Sequence, residues 1–236
     1  RRNKKHISMA EMQESIEKIM LGPERRSRMI TEKEKEVVAY HEAGHALVAQ
    51  MIKEADPVRK VTIIPRGMAG GVTWFVPRDD KTLEKKSHLE AQLAMALGGR
   101  AAEEIVFGEI TTGASQDLKS VTDIARTMVM RYGMSDRLGP ITFGEKEELI
   151  FLGREIGEQR NYSEEVATMI DEEIKLLVNN AHQRAKQIVT AYRQKLEEVA
   201  RRLLEEETID ADEFEAMFVD LPPESVVVLS PEPVPA

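Results

Sequence analysis

Cysteine is absent from this 236-residue sequence, which excludes disulfide bonds, a thiol nucleophile and any cysteine-based zinc site. The sequence also lacks an apolar run of about 18 residues, the length at which a helix can cross a bilayer. It contains no G-x-x-x-x-G-K-S/T loop, so we do not expect ATP to bind through that motif. Any metal ion must therefore be held by His, Asp or Glu side chains.

Charged residues make up 32% of the chain and hydrophobic residues 42%, a composition typical of soluble globular proteins. The net charge of −9 is concentrated near the end, where residues 201–236 contain ten acidic and two basic side chains. No broad basic face is expected, so we predict that nucleic acid is not a partner. Because the first residue is Arg1 and not Met, we expect the chain to be a soluble piece of a longer protein.

Hydrophobic periodicity predicts a mainly α fold, of the α+β kind, with a small β element. Capping boxes begin at Ser8, Thr31 and Asp210, and Ser163 is a further hydroxyl cap. The predicted helices cover residues 9–20, 32–54, 87–107 with an interruption at Gly98-Gly99, 115–133 and, with one break, 163–206. Two short strands are predicted at 58–64 and 72–76, joined by a glycine-rich hairpin loop.

Breakers and composition divide the chain into four predicted parts. The Gly22-Pro23 break separates residues 1–30 from a core predicted at 31–162. A bundle of long helices is predicted to follow at 163–220. Residues 221–236 contain five of the ten prolines, so we expect them to form a loose tail.

The pentad His41-Glu42-Ala43-Gly44-His45 lies inside the helix that Thr31 opens. Residues four apart stack on one helix face, so His41 and His45 can reach the same metal ion. Glu42 is one position along, where it can touch a water bound to that metal without binding the metal itself. This is the HExxH pattern of zinc peptidases, in which the glutamate takes a proton as the water attacks a carbonyl.

The third metal ligand is not settled by the residues alone. A catalytic zinc site needs three protein ligands and an open position. Position 51 is Met, so the metzincin pattern with a third histidine fails. The remaining candidates are the histidines His6, His88 and His182 and the acids Glu90, Glu103, Glu104, Glu109, Asp117 and Asp123. Glu103 and Glu104 follow a helical run, whereas Asp117 lies in the first turn of its helix, and these regions stay open alternatives.

Several stretches together resemble the peptidase domain of the FtsH family, the membrane-anchored AAA-type ATP-dependent zinc metalloproteases. They are Gly22-Pro23-Glu24-Arg25, Glu34-Lys35-Glu36, the pentad with Ala46-Leu47-Val48, Ala96-Leu97-Gly98-Gly99-Arg100-Ala101-Ala102-Glu103-Glu104, Thr111-Thr112-Gly113-Ala114 with Asp117, Tyr132-Gly133-Met134-Ser135 and Leu138-Gly139. They span about residues 8–218 with their spacing kept, so the resemblance is highly specific.

The resemblance implies that Asp117 is the third ligand, and that one Zn²⁺ is held by His41, His45 and Asp117 with Glu42 as general base. Glu103 and Glu104 then become possible partners of a zinc-bound imidazole. The first twenty-odd residues resemble the last helix of an AAA lid.

The same resemblance implies an endopeptidase that degrades unfolded or misassembled membrane and soluble proteins. It further implies a homo-hexamer, with an AAA ATPase domain and a membrane anchor upstream of this chain. ATP would be used by that upstream domain, and the protease domain would lie on the cytoplasmic side of a bacterial inner membrane.

A further expectation concerns substrate binding. The strand Val72-Thr73-Trp74-Phe75 lies close after the metal helix in sequence, and an extended peptide could add to it as a further strand. The competing interpretation is a packed core strand, with Trp74 and Phe75 as core residues.

Two rival functions remain from the sequence. One is a non-catalytic helical oligomerisation platform with a degenerate metal site, against which the intact Glu42 argues. The other is a metallohydrolase of a different substrate class, which would share the zinc and differ in the cleft.

Overall fold

The structure is a computed structural model that describes residues 6–20, 22–23, 31–66, 70–77, 83–144 and 161–221. The predicted connector at 24–30 and the predicted tail beyond residue 221 lie outside the described residues, as does the centre of the hairpin loop. The helices are α1 (Met9–Met20), α2 (Glu32–Met51), α3 (Lys86–Ala96), α4 (Gly98–Phe107), α5 (Ser115–Met130), α6 (Glu164–Ala191), α7 (Arg193–Glu206) and α8 (Ala211–Ala216). The strands are β1 (Val58–Thr62), β2 (Val72–Phe75) and β3 (Thr208–Asp210). The mainly α prediction with a small β element is confirmed.

The central helix α2 begins as predicted and ends early. The Thr31 side chain accepts a hydrogen bond from the Glu34 backbone N–H, and the Glu34 side chain accepts one from the Thr31 N–H. The helix was predicted to reach residue 54 and ends at Met51. Ile52 takes an extended conformation there and its N–H turns back to the Ala49 carbonyl.

Helices α2 and α4 cross at two glycines. A Cβ on Gly98 would lie 2.6 Å from the Gly44 carbonyl oxygen, and one on Gly44 would collide with the Gly98 carbonyl. Only a residue without a side chain permits this approach. The interruption predicted at Gly98-Gly99 is the boundary at Leu97 between α3 and α4, and it brings α4 against the metal-ligand candidates of α2.

Three later helices differ from their predicted forms in detail. Helix α5 ends at Met130 rather than Gly133, because Gly133 belongs to the following turn and has a φ of 59°. The predicted long helix breaks once, at Tyr192 between α6 and α7, and Ser163 caps it as expected. The capping box predicted at Asp210 does not form, since the Asp210 carboxylate lies 3.4 Å from Lys60 Nζ instead.

The sheet has a third strand that the sequence did not predict. Within the described residues its order is β2-β1-β3, with both pairs antiparallel, so β2 is an edge strand of that part of the sheet. Residue Ile209 of β3 is fully buried opposite Val61 of β1. The strand comes from the segment after α7, within the region predicted as a bundle of helices.

One hydrophobic cluster joins the helices α2 to α8 and the sheet. It includes Leu47 of α2, Leu97, and Leu196 and Leu203 of α7, all buried. Among the described residues, no helix is both long and apolar enough to span a bilayer.

Candidate metal centre

Two helices bring three ligand atoms together. His41 and His45 lie one turn apart on α2, and their Nε2 atoms are 3.0 Å apart. Asp117, in the first turn of α5, places its Oδ2 atom 3.2 Å from His41 Nε2 and 3.6 Å from His45 Nε2. The two histidines are buried, and Asp117 is partly exposed, so the cluster lies below the surface with one accessible side.

These separations fit a single bound metal ion. Ligands about 2.0–2.1 Å from a tetrahedral zinc lie about 3.3 Å from one another, which is the range found here. Two nitrogens and one carboxylate oxygen also form a donor set that zinc prefers. Within the described ranges, this is the single group of three His, Asp or Glu side chains with ligand atoms close enough to share an ion.

The Nδ1 atom of each imidazole, on the side of the ring away from the shared space, makes a hydrogen bond. His41 Nδ1 is 2.6 Å from Glu103 Oε1, and His45 Nδ1 is 2.7 Å from the Met95 carbonyl oxygen. A carboxylate and a carbonyl only accept hydrogen bonds, so both Nδ1 atoms must donate. In the neutral imidazole, each Nε2 lone pair is then directed into the space shared with Asp117, as a metal ligand requires.

Glu103 also fixes the loop that carries Asp117. Its side chain is 1% exposed, and its Oε2 accepts a hydrogen bond of 2.6 Å from the Thr111 backbone N–H. Thr111 in turn caps the short 3₁₀ turn, residues 112–114, that leads into α5. A single buried carboxylate thus connects the first histidine with the segment that positions the aspartate.

The electrostatics of the cluster favour positive charge. Although burial opposes the charged form, hydrogen bonds with Asp117 and Glu103 raise the pKa of His41 to about 10. Burial likewise opposes ionisation of Asp117, yet the two imidazoles hold the pKa of its carboxyl well below the usual range. Surroundings that stabilise an imidazolium in this way also stabilise a bound cation.

Glu42 lies between the histidines and strand β2. It is 6% exposed, and burial raises the pKa of its carboxyl although both histidines and a hydrogen bond from Thr73 oppose this shift. The Thr73 hydroxyl donates to Glu42 Oε2 over 2.7 Å. Glu42 is not among the grouped ligand atoms, in keeping with a role beside the metal rather than on it.

Two glycines leave room for these side chains. A Cβ on Gly99 would lie 2.6 Å from both His41 Cε1 and His45 Nε2, and one on Gly71 would lie 2.8 Å from Glu42 Cγ and Oε1. Any larger residue at either position would displace a group of the site.

The other residues considered as the third metal ligand make contacts away from the two histidines. Glu104 pairs with Lys186 Nζ at 2.7 Å and His182 Nε2 at 3.3 Å, on the side of α4 away from the metal. His88 Nδ1 donates to the Glu54 carbonyl. The remaining candidates, His6, Glu90, Glu109 and Asp123, are not part of the ligand group. The structure therefore brings Asp117 to the histidines, while its role as a ligand stays a prediction.

Sequence reasoning missed two contacts. The contact of His45 with the Met95 carbonyl involves a backbone atom, and no pattern of side chains in the sequence reveals such a contact. The Thr73 hydroxyl lies in the strand assigned to substrate, and no spacing signal links it to Glu42. The four strand residues Val72, Thr73, Trp74 and Phe75 are all half-buried, and Phe75 packs against the main hydrophobic cluster.

Comparison with known proteins places the chain in one class, the zinc metallopeptidases. Residues 28–217 match the sequence profile of Peptidase family M41. The chain is 53% identical over its whole length to "ATP-dependent zinc metalloprotease FtsH 1" of Sphaerobacter thermophilus and 52% identical to the protein of the same name from Thermomicrobium roseum, covering 36% of each. It is 58% identical over 92% of its length to "ATP-dependent zinc metalloprotease FtsH" of Chloroflexus aggregans, covering 34% of that protein.

The chain therefore belongs to Peptidase family M41, which confirms the resemblance that the motifs indicated. It spans about a third of the length of these curated relatives.

Proposed function

We propose that this chain is a zinc endopeptidase module that hydrolyses peptide bonds in polypeptide substrates. The observation that carries the proposal is the convergence of His41 Nε2, His45 Nε2 and Asp117 Oδ2, 3.0–3.6 Å apart, beside the buried Glu42. The zinc metalloprotease names of its relatives support the same assignment.

Each residue has a distinct part in this proposal. His41, His45 and Asp117 would hold one Zn²⁺ per chain, and the ion would polarise the scissile carbonyl and lower the pKa of water. Glu103 and the Met95 carbonyl keep the two imidazoles in the tautomer that binds metal. Glu42 accepts a proton from the attacking water and returns it to the leaving nitrogen, which is the work of a general base and acid.

We further propose that the substrate lies extended along β2. Strand β2 is the edge of the sheet, and it follows Gly71, which packs on Glu42. An edge strand offers unpaired backbone groups to an added strand, so recognition would depend on main-chain hydrogen bonds more than on sequence. This fits an enzyme that degrades unfolded or misassembled proteins of many sequences.

The remaining proposals concern the longer protein. The relatives are named ATP-dependent, and this chain covers about a third of them. We infer that an AAA ATPase domain, using ATP, feeds substrates to this module. A homo-hexameric ring and an anchor in a bacterial inner membrane, with the protease on the cytoplasmic side, complete the proposal.

The test combines zinc analysis with casein digestion. Elemental analysis of protein prepared in metal-free buffer should give about one zinc per chain, and a chelator should remove both the zinc and the casein cleavage. Protein that is folded but takes up no zinc would favour the non-catalytic platform. Hydrolysis of small esters without casein cleavage would favour another class of metallohydrolase.

The Glu42→Gln variant isolates the proton transfer. It should keep its zinc and lose casein cleavage by about 10²- to 10⁴-fold, the usual contribution of a general base. Glu36→Gln is a matched control, since Glu36 is exposed on the same helix. A Glu42→Gln protein that digests casein normally would contradict the general-base role.

A further inference from the structure

One hydroxyl group of the edge strand contacts the Glu42 carboxylate. Thr73 Oγ1 lies 2.7 Å from Glu42 Oε2 and 3.1 Å from the Glu42 carbonyl oxygen. The carboxylate distance is that of a charge-assisted O–H···O bond. Thr73 pairs with Val61 of β1, so the hydroxyl is held by the sheet rather than by a free loop.

The backbone next to Thr73 also approaches Glu42. A Cβ on Gly71 would lie 2.8 Å from Glu42 Cγ and Oε1, and equally close to the Thr62 carbonyl of β1. The start of β2 therefore covers the carboxylate, with Gly71 against one oxygen and the Thr73 hydroxyl on the other. In a buried place such as this, an acidic side chain keeps one orientation only if a polar partner holds it.

A carboxylate that transfers protons needs a fixed orientation. Rotation about the last bond of a glutamate is broad, so packing of the aliphatic part does not set the direction of the two oxygens. The Thr73 hydroxyl takes a lone pair of Oε2 and thereby fixes the plane of the group. The remaining lone pairs of the carboxylate are left to accept a proton.

We propose that Thr73 is a positioning residue, whose hydroxyl holds the Glu42 carboxylate in the orientation that accepts a proton during peptide hydrolysis. The proposal rests on the proposed function, because it assigns Thr73 to the reaction of that same site. According to this proposal, the Thr73 side chain contacts the general base, Glu42, rather than the substrate. The strand that would receive the substrate and the group that would carry the proton are then joined by one hydrogen bond.

The kinetic test compares Thr73→Val with Thr73→Ser in the full-length protein that contains this chain. Valine keeps the shape and the strand preference of threonine and removes the hydroxyl, whereas serine keeps the hydroxyl. We expect Thr73→Val to lower kcat on the order of 10-fold or more, as a partial loss of general-base catalysis. The KM for casein should change by less than about twofold, and the zinc content should not change. Thr73→Ser should retain most of the kcat.

Two kinetic results would overturn the inference. One is an unchanged kcat in Thr73→Val. The other is a rise in KM at constant kcat, which would place Thr73 in substrate binding. These results leave the proposed function intact as long as Glu42→Gln is inactive. A fully active Glu42→Gln would instead remove the general-base role on which the inference rests, whereas the proposed function itself fails only if the zinc-loaded wild-type protein does not cleave casein.

A stability measurement tests the contact without activity. Thr73→Val should lower the Tm of the chain by about 2–4 °C when Glu42 is present. In the Glu42→Ala background the shift should be clearly smaller, since only the backbone carbonyl remains as acceptor. Equal shifts in both backgrounds would show that the hydroxyl serves the backbone alone, and would overturn the inference.

Discussion

The two sides of α4 carry neighbouring glutamates with different surroundings. Glu103 faces α2, is almost fully buried, and binds His41 and the Thr111 N–H. Glu104 faces α6, is about a third exposed, and pairs with Lys186 and His182. Both carboxyls have a lowered pKa. On the first side the hydrogen bonds from His41 and Thr111 overcome burial, and on the second the main cause is the hydrogen bond from Lys186.

The comparison shows that the partner, and not the residue type, decides what an acidic group does here. A buried carboxylate that accepts a hydrogen bond from a metal-binding imidazole orients that imidazole, so its loss should lower the zinc affinity. A partly exposed carboxylate in an ion pair contributes little, because water screens it. The metal-facing side of α4 should therefore be sensitive to substitution, and the α6-facing side tolerant.

Removing Asp117 should have the largest effect on the metal-facing side. Asp117→Ala takes away one of the three proposed ligands, so zinc affinity should fall at least about 100-fold, the upper range for loss of a supporting group. Asp123→Ala, on the same helix and outside the ligand group, is the matched control. Affinity is measured by competition with a chelator. Loss of zinc from Glu103→Ala but not from Asp117→Ala would reverse the assignment.

The direct comparison is between Glu103→Ala and Glu104→Ala. The first should lower zinc affinity about 10-fold and destabilise the chain by about 1–3 kcal/mol, because buried His41 and Thr111 N–H groups lose their acceptor. The second should leave zinc affinity within about twofold. Chelator competition and thermal unfolding measure both. Equal losses of affinity in the two variants would remove the distinction between the two sides.

Gly99→Ala tests how tightly α4 packs on the imidazoles. Alanine is favoured over glycine in a helix by about 1 kcal/mol, so a gain in stability would be expected if space were available. The added Cβ would lie 2.6 Å from both histidine rings, and we therefore expect weaker zinc binding by several-fold and no gain in Tm. The neighbouring Arg100→Ala is the control and should keep its zinc. A more stable Gly99→Ala protein with unchanged affinity would contradict the packing.

The smallest effect is expected at Glu104 and depends on pH. Its folded-state pKa is lowered, so the contribution to stability is present above the unfolded-state pKa of about 4.3 and is lost as the pH falls through the folded-state value. Glu104→Gln should destabilise by at most about 1 kcal/mol at pH 7, and by less near pH 3, where protonation begins to remove the contribution of the wild-type carboxylate. Thermal unfolding at the two pH values gives the result. A difference that grows on acidification would have the wrong sign.

Local signals predicted much of the fold. Thr31 and Ser163 cap their helices as expected, because a capping interaction involves residues three positions apart. Predictions that depended on distant partners were less exact. Asp210 does not cap α8 because Lys60 of β1 lies next to it, and β3 is three residues long and visible only through its pairing with β1.

In the candidate site, too, the features set by neighbouring residues were predicted from the sequence, and those set by distant partners were not. The pentad placed His41 and His45 on one helix face from local geometry alone. Asp117 came from the resemblance, because 72 positions separate it from His45 and no periodicity connects them. The different surroundings of Glu103 and Glu104 could not be derived from the sequence, since the side of α4 that faces α2 is set by the approach of Gly98 to Gly44.

The most direct test of the metal centre is a crystal structure of the zinc-loaded protein with anomalous data at the zinc absorption edge. Our prediction is one strong peak per chain, bonded to His41 Nε2, His45 Nε2 and Asp117, with Glu103 on His41 Nδ1 and not on the metal. A peak bonded to Glu103 or Glu104 in place of Asp117, or no peak in zinc-saturated crystals, would contradict it.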